Sequence, residues 1–173
     1  HPINNSNSFF LEKVYSYSGI SVDVIDYGNE FLKLRPRTKF INCAIDSVAS
    51  QIDMYFVEES EGWESQMTTA HPKTLNSGKG FKGVKRIIPC KRLSHICKEL
   101  KKIDLLMIDV EGHEFEVIKS FDWESSSPSV ILIENNGVNF SRSKLRKLIE
   151  KLNYKLIALI GSSDEIYLYE GDI

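Results

Sequence analysis

Residues 103–123, IDLLMIDVEGHEFEVIKSFDW, restrict the possible folds more than any other part of this chain. The apolar run Leu105, Leu106, Met107, Ile108 stops at a carboxylate, Asp109, and an acid and a glycine follow as Glu111-Gly112. The text then takes on helical spacing at Glu114, Phe115, Ile118 and Lys119. A buried strand that ends in a charge and turns tightly into a helix is an α/β building unit. In open α/β sheets ligands bind outside the carboxyl ends of the strands, so polar chemistry is expected here.

The rest of the chain repeats this alternation. GISVDVID (19–26), KFINCAI (39–45), IDMYFVE (52–58), VKRIIPC (84–90) and VILIEN (130–135) are predicted strands. Helices are predicted from an Asn5 or Ser6 cap to Gly19, over 30–34 up to Pro36, over 93–100, and after Ser141 with the stripe Leu145, Leu148, Ile149 and Leu152. YKLIALIG and EIYLYEG, joined by Ser162-Ser163-Asp164, predict an antiparallel hairpin. LLMI and VILI are apolar without alternation, as strands buried on both faces are. The expectation is an α/β fold, mainly parallel with a C-terminal antiparallel hairpin, in a single domain over 1–173. Residues 58–83 turn polar and rich in Ser, Thr and Gly, the pattern of a long loop such as a lid or binding segment.

Bulk properties exclude several classes. A chain of 173 residues can bury a proper core, and 22 basic against 24 acidic side chains gives no global bias toward nucleic acid. No apolar run approaches the roughly 20 residues of a membrane span, and HPINNSNSFF has neither the basic start nor the apolar segment of a signal peptide. Three irregularly spaced cysteines suit reduced thiols in the cytoplasm, and no CxxC or Cys/His cluster suggests structural zinc.

Gly78, Gly80 and Gly83 spell G-x-G-x-x-G, but a polar loop precedes them and a strand follows. The dinucleotide fingerprint needs a strand before and a helix after, so these glycines read as solvated loop, with Lys79, Lys82, Lys85 and Arg86 available to a phosphate. Asp23, at the end of an early strand, stands where nucleotide-binding α/β folds hold ribose hydroxyls; Asp26 competes for that role. Helix-dipole stabilisation accounts for Glu111 and Glu114 as first-turn acids, but not for Asp109. Glu134 repeats the pattern at the end of the next apolar strand, so neighbouring strands would bring Asp109 and Glu134 to one crevice. His113 is a candidate general base near neutral pH, set against the plainer reading of a surface helix residue. Trp63 and Met67 are candidates to cover an apolar part of a ligand. The clustered acids have no spacing that demands a metal.

With these residues in hand, the chain resembles the FkbM family of S-adenosylmethionine-dependent methyltransferases. The resemblance is carried by Ile103, Asp104, Leu106, Ile108, Asp109, Val110, Glu111, Gly112 and Glu114, and more weakly by GISVDV, NCAI and HPINNSNSFFLEK. It implies a Rossmann-like class I sheet and methyl transfer to a hydroxyl of a sugar or small natural product. It further implies S-adenosylmethionine held by Asp23 at the ribose, by the backbone near Ala44 and Ile45 at the adenine, and by Asp109. Asp109, Glu111, Glu134 and His113 are then the catalytic candidates. The family's first strand and glycine motif would stand immediately before His1, so the natural protein is expected to be longer. The alternative is a non-catalytic methyltransferase-like domain that binds a partner through 58–83. A sugar-nucleotide enzyme is disfavoured by the lack of a well-placed phosphate loop.

Overall fold

Short β-branched and aromatic runs, broken by turn residues, set the order of elements in the computed structural model, which describes residues 1–4, 6–57, 68–72, 83–137 and 139–171. The chain divides into two units, His1–Ala44 and Ile45–Ile173. Most of the predicted 58–83 loop, with Trp63, Met67, Lys79, Lys82, Gly78 and Gly80, lies outside the described residues, as does the proposed Asn5 cap.

In the first unit, α1 (Phe9–Tyr15) precedes β1 (Gly19–Asp23), α2 (Gly28–Leu34) and β2 (Thr38–Asn42). β1 and β2 pair in parallel, with Gly19 opposite Thr38 and Asp23 opposite Asn42. Two expected boundaries move. α1 ends at Ser16, which takes the left-handed conformation (φ 59°), so Gly19 opens the strand instead of closing the helix. The N-cap is Ser8, and its hydroxyl does not cap the helix but accepts from Arg35 Nη2 at 3.1 Å.

That contact belongs to the centre of this unit. Arg35 is 1% exposed and its Nε lies 2.6 Å from Glu12 Oε2. Its Nη1 donates to the Pro2 carbonyl and Ser6 Oγ, and its Nη2 to the Ser8 carbonyl and Thr38 Oγ1. Glu12 also accepts from the Thr38 hydroxyl and the Arg37 N–H. A buried ion pair recovers its desolvation cost only when the remaining donors and lone pairs are filled, and here they are. Phe31 stacks on Phe40 beside it, with ring centroids 4.9 Å apart.

The junction residues form the two-residue β3 (Ala44–Ile45). In the second unit β4 (Gln51–Val57) pairs antiparallel with β5 (Gly83–Lys91). After α3 (Leu93–Cys97), a four-stranded sheet forms from β6 (Leu105–Ile108), β7 (Val130–Glu134), β8 (Tyr154–Ile160) and β9 (Asp164–Tyr169), in the order β6-β7-β9-β8. α4 (Glu114–Lys119) and α5 (Arg142–Glu150) accompany it. Ile131 and Ile133 of β7 are buried with Ile118, Leu145, Ile149 and Tyr167 in one core, and Leu145 and Ile149 belong to the predicted helix stripe. Ser141 is the N-cap of α5, but its hydroxyl meets Ser143 and not a backbone N–H.

The α/β class and the terminal hairpin are as expected, but the pairing is mixed. β1–β2 and β6–β7 are parallel, whereas β4–β5, β7–β9 and β8–β9 are antiparallel. The hairpin enters the sheet through its second strand, which buries Glu165 and Tyr167. Glu165 is satisfied by Arg146 (2.7 and 2.9 Å), Asn135 (3.0 Å) and the Tyr167 hydroxyl. Among the described residues no helix is long and apolar enough to cross a membrane.

Arg35→Met should leave the buried Glu12 carboxylate without its cationic partner and lower the unfolding free energy by about 3–5 kcal/mol in urea titration, whereas replacing both residues by apolar ones should cost less than the single change.

Candidate active site

The site starts from the register of two parallel strands. Ile108 lies opposite Ile133, so the next residue of each chain segment, Asp109 and Glu134, stands at the same carboxyl end. On the other side of β7, Glu134 lies opposite Asp164, the first residue of β9. Strand adjacency thus brings Asp109 and Glu134 to the same carboxyl end of the sheet, and Asp164 joins them.

Between β6 and α4 the backbone takes two consecutive left-handed residues, Glu111 (φ 52°) and Gly112 (φ 98°). The conformation suits glycine but costs a non-glycine residue of order 1–3 kcal/mol, and such strain gathers at functional sites. It is held from several directions. Glu114, 1% exposed, accepts from the N–H groups of Gly112 (2.9 Å) and Val110 (3.3 Å) through one carboxylate oxygen. Thr69 Oγ1 donates to the Glu111 carbonyl at 2.7 Å, and Asn139 Nδ2 to that of Gly112 at 3.2 Å. Thr69 is itself bridged to Tyr55 of β4 by two backbone hydrogen bonds of 2.9 and 3.2 Å.

This corrects the helix-dipole account of Glu111. α4 begins at Glu114 with His113 as its N-cap, so Glu111 lies before the helix, in the strained turn. Glu114 is in the first helical turn, but its carboxylate serves the preceding backbone.

Burial, and then the crowding of like charges, raises the proton affinity of these acids. Burial, then the charges of Asp109, Glu111, Glu114 and Asp164, push Glu134 up to about 8. Burial, then Asp109 and Glu114, push Glu111 up to about 7. Asp109 is raised as well, by burial and then by Glu114 and Asp164. Near neutral pH the group can therefore both donate and accept hydrogen bonds.

His113 is neither a surface residue nor an unencumbered base. Its Nε2 lies 2.9 Å from Asp46 Oδ2 and its Nδ1 lies 3.3 Å from His71 Nε2. Asp46, directly after β3, accepts with Oδ1 from the N–H groups of Val48 (2.8 Å) and Ala49 (2.7 Å). Burial alone would raise its carboxyl, but those N–H groups and His113 outweigh it and hold Asp46 below the ordinary carboxylate range. Burial, then the neighbouring His113, lower His71. Ser47 ties the same corner to α4 by donating to Glu116.

Sequence inspection missed Asp46, Thr69, His71, Asn139 and Asp164. Asp46 carried a usable signal, because it ends KFINCAI as Asp109 ends LLMI. Thr69 and His71 carried none, since they sit in a stretch read only as loop.

In the first unit, Asp23 ends β1 and accepts from the Ile25 N–H at 2.9 Å, while burial raises its carboxyl despite that bond. Asp26 is exposed and accepts from the N–H of Gly28 at 3.0 Å, at the start of α2. Its carboxylate is used to begin a helix, which separates it from Asp23. Ala44 is buried and Ile45 half-buried in β3. Among the described residues no three His, Cys, Asp or Glu side chains are gathered as a metal site.

A strand-end acid, a left-handed Glu-Gly turn and a following helix with a buried glutamate agree with the motif that suggested the family. Residues 4–156 match the methyltransferase FkbM domain. The chain belongs to the FkbM methyltransferase family. No curated protein and no solved structure matches it. In this FkbM methyltransferase domain the family motif is thus both the sheet's carboxyl edge and the turn that Thr69, Glu114 and Asn139 hold.

A Cβ on Gly112 would lie 1.9 Å from Asn139 Nδ2, on backbone that L side chains rarely adopt. Gly112→Ala should therefore lower stability by about 1–3 kcal/mol in chemical denaturation. Glu134 contributes in the opposite sense to a salt-bridged acid. Its folded pKa, about 8, lies above the ordinary 4.5, so folding favours the protonated form and stability falls as pH rises across that interval. Urea titrations of Glu134→Gln between these limits should show a smaller loss on the alkaline side than the wild type.

Proposed function

We propose that this FkbM-family domain is an S-adenosylmethionine-dependent O-methyltransferase that acts on a hydroxyl of a sugar or small natural product. Residues 1–173 would form one methyltransferase-like domain of Rossmann-like, class I type, working in the reducing environment of the cytoplasm. The observation that carries the proposal is the acid group Asp109, Glu111 and Glu134 at the carboxyl end of β6 and β7, in a chain that matches the methyltransferase FkbM domain.

The donor set suits the cofactor. A sulfonium cation is favoured beside carboxylates, and acids held near neutral can release protons to meet a positive charge. When bound, S-adenosylmethionine supplies an electrophilic methyl group. Asp23 would accept from the ribose hydroxyls, as its half-buried strand-end carboxylate allows, and the backbone at Ala44 and Ile45 would flank the adenine. Asp109 would contribute to cofactor binding, with Glu111 and Glu134 near the acceptor. The work of these side chains is to orient an acceptor oxygen, exclude water and leave a group free to take its proton.

Titration calorimetry with S-adenosylmethionine and S-adenosylhomocysteine tests the proposal. Micromolar binding is expected, weakened about tenfold or more by Asp23→Ala and by Asp109→Asn. A folded protein that binds neither compound would instead support the partner-binding alternative.

A further inference from the structure

We infer that His71 is the base that takes the acceptor's proton, with His113 and Asp46 as the residues that position it; the inference rests on the methyltransferase proposal above.

The three side chains form a line within the second unit. Asp46 Oδ2 lies 2.9 Å from His113 Nε2, and His113 Nδ1 lies 3.3 Å from His71 Nε2. The far oxygen of Asp46 is occupied by the N–H groups of Val48 and Ala49, which fixes the carboxylate's orientation. An ionised carboxylate can only accept, so His113 must carry its proton on Nε2. Neutral His113 then offers a lone pair at Nδ1, which requires the proton of His71 on Nε2. This leaves His71 Nδ1 with a lone pair, and among the described residues it meets no hydrogen-bond partner. One carboxylate thereby sets the tautomer of two imidazoles, the logic of an orienting acid behind a histidine base.

The backbone carries His71 to the turn already described. Its N–H donates to Thr69 Oγ1 at 3.0 Å, and the same oxygen donates to the Glu111 carbonyl at 2.7 Å. The ring reaches Gly112, with Cδ2 3.7 Å from the point that a Cβ there would occupy.

The protonation states divide the labour. The acids at Glu111 and Glu134 are raised toward and above neutrality, whereas burial, the largest cause, lowers His71 and so favours its uncharged form. Glu116, whose carboxylate accepts from the Ser47 hydroxyl, adds negative charge beside Asp46. In the transfer, a lone pair of the acceptor oxygen forms the bond to the methyl carbon, the carbon–sulfur pair stays on sulfur, and the O–H proton passes to His71 Nδ1. The Nε2 proton of His71 can then move to His113, which leaves the positive charge on an imidazolium against Asp46. A hydroxyl and a sulfonium become a methyl ether, a thioether and one proton held by the relay.

Long-range ¹H–¹⁵N NMR of the full chain reads this without an acceptor, with His71 assigned by its loss in His71→Gln. The expected result is an Nε2–H tautomer with unprotonated Nδ1 in the wild type, becoming a mixture in Asp46→Asn. The second arm compares two complexes whose formation calorimetry has verified. Sinefungin carries an amine-bearing carbon in place of the methyl-bearing sulfonium sulfur, and S-adenosylhomocysteine has an uncharged thioether sulfur there. A cation there should lower the titration midpoint of His71 by about one unit relative to the S-adenosylhomocysteine complex, the scale of a like charge nearby. An Nδ1–H tautomer in the wild type, or equal midpoints in the two verified complexes, overturns the role of His71 and leaves the methyltransferase proposal standing. Failure of both compounds to bind overturns both.

Discussion

A single buried carboxylate, that of Glu114, underlies the arrangement of the second unit's polar edge. It accepts from the backbone N–H groups of Val110 and Gly112, and so holds a turn that two left-handed residues would otherwise leave costly. If the turn relaxed, Glu111 would lose its position beside Asp109 and the helix carrying Glu114 would lose its entry angle. Thr69 and Asn139 reinforce the same turn through its carbonyls. The strain is local, whereas the groups that hold it come from three separate stretches of chain.

Around that turn the protein keeps two kinds of ionisable group in opposite states. Asp109, Glu111 and Glu134 repel one another in partial burial and are pushed toward protonation. Asp46 is pulled the other way by backbone N–H groups and His113, while burial lowers His71. Environments that drive titratable groups apart are the usual means of obtaining an acid and a base at one pH. The first unit uses its buried charges differently. Arg35 and Glu12 are saturated by main-chain carbonyls, hydroxyls and an N–H, which makes them a clasp between α1 and the segment before β2.

Much of this was legible in local text. The β6–turn–α4 unit, the terminal hairpin and the α5 stripe follow from periodicity and from where charge interrupts apolar runs. What periodicity lacks is partner identity. It could not tell that β9 and not β8 would lie beside β7, because both strands have similar patterns, and so the degree of parallel pairing was overestimated. Serine caps were misjudged for a related reason. Ser6 and Ser141 were the serines expected to cap, but the first helix starts after Ser8, and the hydroxyls of Ser6 and Ser141 found other partners, Arg35 and Ser143. Glu111 was assigned to a helix because acids cluster at helix starts, yet the left-handed turn at Glu111 and Gly112, ahead of the helix, is held by contacts from Thr69, Asn139 and Glu114.

The sequence by itself determined the α/β class, the strand that ends at Asp109, its repetition at Glu134, and the family motif, because each depends on residues close together in the chain. Only the tertiary structure decided that Asp164 faces Glu134, that Glu114 is spent on backbone N–H groups, and that His113 stands between Asp46 and His71. Those outcomes depend on register and on hydrogen bonds between residues as many as 67 positions apart. Local patterning cannot encode which distant donor meets which acceptor; packing of the core around Ile118, Ile131 and Ile133 does.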